Sequence, residues 1–337
     1  MKKIVSILLS GCLLLSLCSC SLTQREEKYT ATVFNYFDTV ISITAYDKSR
    51  EDFDTKQKLI ENELERYDRL FDIYNSYEGI NNLCTLNSSA GKSPVKVEGD
   101  ITELLSYGKR AYEITHGAVN ICAGAVLKIW HEAREREELP DMNALKNAGE
   151  HIDINSLEIN GDTVFISDSE ASVDVGAIAK GFACDRLREY IKANGLWENY
   201  LISLGGNVVA GGYKTDSGNS KWNVEIQNPD LEAKTALEIV SVTDTSVVTS
   251  GDYQRFFTVD GVKYCHIINL DTLMPATEFR SVSVICPDSD LADALSTALF
   301  ILPFSEGWEL VKSLDGVEAM WVDNGCEISY TEGFPRI

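Results

Sequence analysis

The chain has 337 residues, 44% of them hydrophobic, and carries 52 acidic against 30 basic side chains for a formal charge of −22. That length and apolar content suffice for one large core or two smaller ones and exclude a disordered chain. An acidic excess of this size repels a phosphate backbone, whose binding depends on lysine and arginine releasing counterions, and argues against nucleic acid as a partner.

The first residues read as an address. Lys2 and Lys3 precede an apolar run, Ile4 to Leu17, which is too short to remain as a spanning helix and has the pattern of a bacterial signal peptide. Leu17, Cys18, Ser19 and Cys20 resemble the lipobox of bacterial lipoproteins, which implies cleavage behind Ser19 and a diacylglycerol on Cys20. An ordinary secretory signal is the alternative; lipidation at Cys12 would leave an apolar run of only six residues. Residues 1–19 are therefore expected to be removed, 20–30 to form a lipid-anchored tether, and 31–337 to fold. The expected location is the extracytoplasmic side of the cell membrane. Loss of Lys2 and Lys3 takes the charge to −24, so the acyl chains, at ~0.8 kcal/mol per buried methylene, must anchor without a polybasic segment. Past residue 20, Cys84, Cys122, Cys184, Cys265, Cys286 and Cys326 show no CxxC spacing and read as core residues or free thiols.

Along the chain, Thr32 to Tyr46 alternates in β-branched and aromatic residues and predicts two strands broken at Asp38. Asp52 to Asp72 places Leu59, Ile60, Leu64, Tyr67, Leu70 and Phe71 on one helical stripe. Further helices are predicted over Ile101 to Thr115, stopped by Gly117, and over Ala123 to Glu138, whose charge run from His131 onward reads as a solvated face. A hairpin turning at Gly161 and Asp162 leads to a helix from Ala177 to Asn194. Strands follow at Tyr200 to Ser203, Trp222 to Gln227, Ala236 to Val242, Phe256 to Val259, Tyr264 to Ile268 and Ser281 to Cys286. Helices return at Asp290 to Ile301 and Ser305 to Leu314. Strands grouped in the middle and helices elsewhere predict an α+β fold, mainly antiparallel.

Chemistry is concentrated in a few segments. In ADALSTALF, Ala292 to Phe300, Asp293 and Thr297 lie four apart and share a helix face, a pair of hard oxygens suited to Mg²⁺, although a cap and a core threonine have the same spacing. DVGAIAKGFACD, Asp174 to Asp185, enters a helix through Gly176 with Lys180 near its start, where an anion could sit; it lacks the GxxxxGK[ST] spacing of a Walker loop. His266 falls in a predicted strand and reads as a structural histidine or a general base. The paired glycines of SLGGNVVAGG, Ser203 to Gly212, read as strand turns or as a close backbone approach to a bulky ligand.

Together with THGAVNICAGAVLKIW (Thr115 to Trp130), WNVEIQNP (Trp222 to Pro229) and TSGDYQRFF (Thr249 to Phe257), these segments resemble, in order, the ApbE family of FAD:protein FMN transferases. The resemblance runs from about Tyr36 to Trp321 and implies two lobes around an FAD cleft. It implies that Asp293, Thr297 and the carbonyl of Ala177 hold Mg²⁺. It further implies that Phe37, Tyr74, Ala118, Val119, Asn120, Asp174, Lys180 and Ile268 line the FAD site, and His266 is the candidate to take or relay a proton. The implied reaction moves FMN from FAD to a threonine or serine hydroxyl of an acceptor flavoprotein subunit in an envelope electron-transfer system, releasing AMP.

Two departures from the family pattern stand out. Phe37-Asp38-Thr39 replaces a Met-Gly-Thr triplet, and HIINLDTLMP, His266 to Pro275, has Asn269 for an acid and Leu273 for a glycine. These leave FAD hydrolysis to FMN and AMP, or a non-catalytic FAD-binding lipoprotein, as alternatives. A solute-binding lipoprotein fits the strand-rich middle less well.

Overall fold

The computed structural model describes residues 25–337, so the expected signal peptide and Cys20 lie outside the described residues. Strands β1 (Glu27–Tyr36) and β2 (Thr39–Asp47) form an antiparallel hairpin whose pairing begins at Glu27 and Asp47. Residues 27–30 thus belong to the sheet and not to the expected tether. Helix α1 (Arg50–Phe71) starts at Ser49, whose hydroxyl accepts from the Asp52 N–H, and buries Phe53, Ile60, Leu64 and Tyr67 along one stripe. Leu59 stays partly exposed.

The chain continues through α2 (Leu83–Ser88), β3 (Val95–Lys96), α3 (Gly99–Ile114), α4 (Gly124–Arg136) and α5 (Met142–Gly149). Next come the hairpin β4 (Leu157–Asn160) and β5 (Thr163–Ile166), then α6 (Ala179–Ala193). His116, at φ 52°, takes the left-handed position that ends α3, one residue before the expected Gly117, whereas Gly161 and Gly195 supply the positive φ that turns the hairpin and ends α6. A strand-rich stretch follows: β6 (Tyr200–Leu204), β7 (Asn207–Gly211), β8 (Trp222–Ile226), β9 (Glu238–Val242), β10 (Thr245–Gly251) and β11 (Phe256–Val259). It ends with β12 (Val262–Cys265), β13 (Ile268–Asn269), β14 (Met274–Pro275) and β15 (Phe279–Cys286). Last are α7 (Ser289–Ile301), α8 (Phe304–Lys312), β16 (Glu318–Asp323) and β17 (Ile328–Tyr330).

Eight strands form one sheet in the order β1-β2-β6-β7-β10-β15-β16-β17, antiparallel throughout. The α+β class follows directly. On one face α7 sets Leu295, Leu299 and Phe300 against Val282, Val284 and Trp321. On the other, the β8–β9 hairpin lays Trp222, Val224 and Val240 over Val247, Ile285 and Met320. Neighbours such as Val284 and Ile285 face opposite sides, as the pleat requires. A satellite cluster joins α4 and α5 to the β11–β14 segment through Trp130, Leu145, Phe257 and Ile268. The cavity described next is walled on one side by this satellite and on the other by the sheet with α1, α6 and α7.

Candidate functional site

A single cavity of about 870 Å³ is lined by every residue singled out above as FAD-lining, metal-holding or proton-relaying. Its volume falls within the range of small-molecule sites, roughly 300–1,000 Å³.

At its inner end lies Asp293, buried in the second turn of α7. One carboxylate oxygen accepts from the Gly181 N–H at 2.8 Å, and the other faces Lys180 Nζ at 3.6 Å. Burial pushes the Asp293 carboxyl above its ordinary range, while Lys180 and the Gly181 N–H pull it back. Thr297 follows one turn on, less buried, on the cavity side. Ala177 is outside the helix predicted to include it, because α6 starts at Ala179. In a regular helix the Gly181 N–H would go to the Ala177 carbonyl; here it goes to Asp293, and among the described residues that carbonyl accepts no backbone hydrogen bond.

These donors fit a small hard cation. They are a carboxylate, a hydroxyl and a free carbonyl, all oxygen, around a buried charge whose nearest cation is 3.6 Å away. Beside them the Asn207 amide is 1% exposed and faces the Asp293 carboxylate, whose pKa it helps to hold down. No group of three His, Cys, Asp or Glu side chains able to hold a metal occurs among the described residues. The set therefore suits an ion that takes few protein ligands and completes its shell with phosphate and water, as Mg²⁺ does.

His266 faces the same cavity but is not inside a strand, as its segment predicted: β12 ends at Cys265 and β13 begins at Ile268. The chain bends there because the His266 N–H and ring Nδ1 both meet the Arg255 carbonyl, each at 3.1 Å. A carbonyl can only accept, so Nδ1 carries the proton and Nε2 keeps its lone pair. The ring is exposed to the open cleft; the surrounding walls, and then the Arg255 charge, still push the imidazole pKa down to about 4, which favours the neutral ring at pH 7. The Arg255 guanidinium reaches across the cleft mouth to the Asp38 carbonyl at 3.2 Å.

Aromatic and polar groups line the remainder. The Tyr74 ring lies 5.3 Å from the His131 ring and is 59% exposed, so a flat face is open to the cavity. Its loop is fixed by Asp72, which accepts from the N–H groups of Tyr74 and Asn75 and from the Tyr77 hydroxyl. Asp174 has one oxygen on the Gly176 N–H at 2.8 Å, and burial raises its carboxyl. Asn120 is different in kind: its amide donates to the Ile152 carbonyl and accepts from the Cys122 N–H, so it shapes the wall rather than offering a free group. Ala118, Val119 and Ile268 supply apolar wall.

The departures prove tolerable in the backbone. Phe37 and Asp38 both take positive φ, 53° and 49°, and the Phe37 N–H donates to Asp68 at 2.7 Å. Leu273 holds the φ of +57° that a glycine would take, with its carbonyl accepting from Trp130 Nε1 at 2.9 Å. Asn269 Oδ1 accepts from the Asp271 N–H at 2.9 Å, so it ties down its own turn. Leu273 packs against the satellite cluster and is not part of the cavity lining, and Phe37 lines a cavity that keeps about 870 Å³ open.

Sequence reasoning passed over Asn207, Arg255, His131 and Arg134, all of which line the cavity. The available signals were weak: an asparagine after two glycines, and a charge run whose first turn happens to face inward.

The ApbE family model matches residues 37–321. An FAD:protein FMN transferase of Treponema pallidum is 37% identical over 254 residues, covering 71% of this chain and 70% of that protein. Another, from Klebsiella pneumoniae, is 29% identical over 274 residues, covering 77% and 83%. Among solved structures, an ApbE protein from Thermotoga maritima matches with a TM-score of 0.80 at 26% identity, over 91% of this chain and 97% of that one. The flavin transferase ApbE from Vibrio cholerae gives 0.78 over 92% and 98%, and at 23% identity it speaks to the fold alone.

Proposed function

The chain belongs to the ApbE family, and from that premise we propose that it transfers FMN from FAD to a threonine or serine hydroxyl of an acceptor flavoprotein. The observation that carries this reading is the convergence, in one cavity, of a buried oxygen cradle (Asp293, Thr297, Ala177) and a histidine whose free nitrogen is fixed by its other one.

Asp293, Thr297 and the Ala177 carbonyl would hold Mg²⁺, which when bound supplies charge withdrawal from the phosphoryl oxygens. Lys180 adds a fixed positive charge beside the pyrophosphate. Tyr74 offers its face to a flat ring, and Asp174 keeps one oxygen free to accept from the nucleotide. His266 Nε2 takes the proton of the attacking hydroxyl as the new bond forms to the flavin-side phosphorus. The bond from that phosphorus to the bridging oxygen breaks, and AMP leaves with that oxygen. The Arg255 carbonyl holds the imidazole in the required tautomer throughout. We further propose that a lipid on Cys20 anchors the chain to the cell membrane, facing the extracytoplasmic side; among the described residues no helix is long and apolar enough to cross a membrane.

The test is to mix the purified chain with FAD, Mg²⁺ and a threonine-bearing flavoprotein subunit. An acceptor heavier by one FMN is expected, and Asp293→Ala should lower the rate by about 10³-fold, since several kcal/mol of charge stabilisation is lost. Sustained release of FMN and AMP with no adduct on any acceptor would replace transfer by hydrolysis. Tight FAD binding without turnover would leave only a carrier.

A further inference from the structure

Helices α6 and α7 exchange hydrogen bonds in both directions where the buried carboxylate sits. From α6, the Gly181 N–H donates to Asp293 Oδ2 at 2.8 Å. One turn further along α6, Asp185 Oδ2 accepts from the Asp290 N–H of α7 at 2.9 Å. This second bond is an N-cap supplied by another helix. Asp288, at the N-cap position of α7, makes no side-chain cap bond, and first-turn N–H groups need acceptors. Arg188 completes the corner, with one nitrogen donating to Asp185 Oδ1 at 3.2 Å and to the Pro287 carbonyl. The helices approach this closely because residue 181 is glycine: a Cβ there would meet the Ser289 carbonyl oxygen and lie 2.7 Å from Asp293 Cβ.

We infer that Asp185 is a positioning residue for the metal-holding carboxylate, fixing the first turn of α7 so that Asp293 keeps one oxygen on Gly181 and presents the other to the cavity. This rests on the reading of Asp293 as a metal ligand. The core side of α7, Leu295 and Leu299, is fully buried and does not involve Asp185, so the helix persists without the cap while its N-terminal turn loosens. Ligating carboxylates depend on such supporting bonds, whose loss typically costs about 10–100-fold in metal affinity.

The experiment is Mn²⁺ binding to the purified full chain, followed by the EPR signal of the free ion. Asp185→Ala should weaken binding by about 10–100-fold. Asp185→Asn keeps an oxygen for the Asp290 N–H but turns its NH2 against Arg188, and should weaken binding at least about threefold less than Asp185→Ala. Wild-type affinity in Asp185→Ala, or equal weakening in both variants, overturns the positioning role. A parent chain that binds no Mn²⁺ overturns the metal reading beneath it and the positioning role with it; the two failures are therefore distinct. Amide hydrogen exchange in the parent chain tests the cap even if Asp185→Ala does not fold. The Asp290 N–H should be protected like the interior of α7, and exchange at the rate of an exposed loop amide overturns the proposal.

Discussion

At the scale of single residues, the proposed proton transfer depends on His266 staying neutral. Its pKa of about 4 lies below the ordinary histidine value of about 6.5. Between those two values the unfolded chain binds a proton at this position and the folded chain does not, so the group lowers stability as pH falls through that window. The same depression keeps Nε2 available as a base across the neutral range. kcat/KM should accordingly be flat with respect to this group from pH 6 to 8 and fall on acidification towards pH 4. His266→Gln should lower kcat by about 10²–10⁴-fold and remove that acid limb. A pH–rate profile of the two proteins checks this; an unchanged limb in His266→Gln would assign it to another group.

Among the elements, α7 joins the core to the chemistry. Leu299 is fully buried against the sheet, two residues past Thr297. Leu299→Ala should cost about 2–5 kcal/mol in urea unfolding, from lost transfer free energy and the cavity left behind. A cost well below 1 kcal/mol would mean that α7 is not the packed support the cradle needs. This helix was legible in the sequence because its hydroxyl and carboxylate fall on one face and its leucines on another. The strands β7, β10 and β16 were not. Val247 and Val248 are both buried, on opposite faces of the sheet, as are Ala319 to Val322, and a strand covered on both sides loses the alternation that identifies a half-exposed one. The pairing of Asp293 with Thr297 was legible as spacing, Lys180 and His266 as single candidates, and the other lining residues only through family resemblance. The link from Asp185 to Asp290 spans 105 residues, and nothing local to either segment announces it. Likewise, Leu273 looked like the loss of a needed glycine, yet the turn survives because Trp130 and Asn269 hold it from both sides.

For the whole molecule, the charge of −22 sets the terms on which a dianionic pyrophosphate arrives. The cavity does not reverse that sign: Asp38, Asp68, Asp72, Asp174 and Asp293 line it against Arg134, Lys180 and Arg255. Asp38 adds charge at the mouth, where its carbonyl also receives Arg255. With field and site of one sign, diffusion brings FAD in against repulsion, and the local cations act only at contact range. Added salt shortens the Debye length from about 30 Å at 0.01 M to about 8 Å at 0.15 M and screens the long-range part first. The association rate of FAD at fixed Mg²⁺ should therefore rise severalfold as NaCl is added over that range, the reverse of a steered encounter. Stopped-flow flavin fluorescence measures it directly. A rate that falls with salt would show that Lys180, Arg134 and Arg255 project a positive field beyond the mouth, and the acidic surface would then have no part in how the nucleotide is admitted.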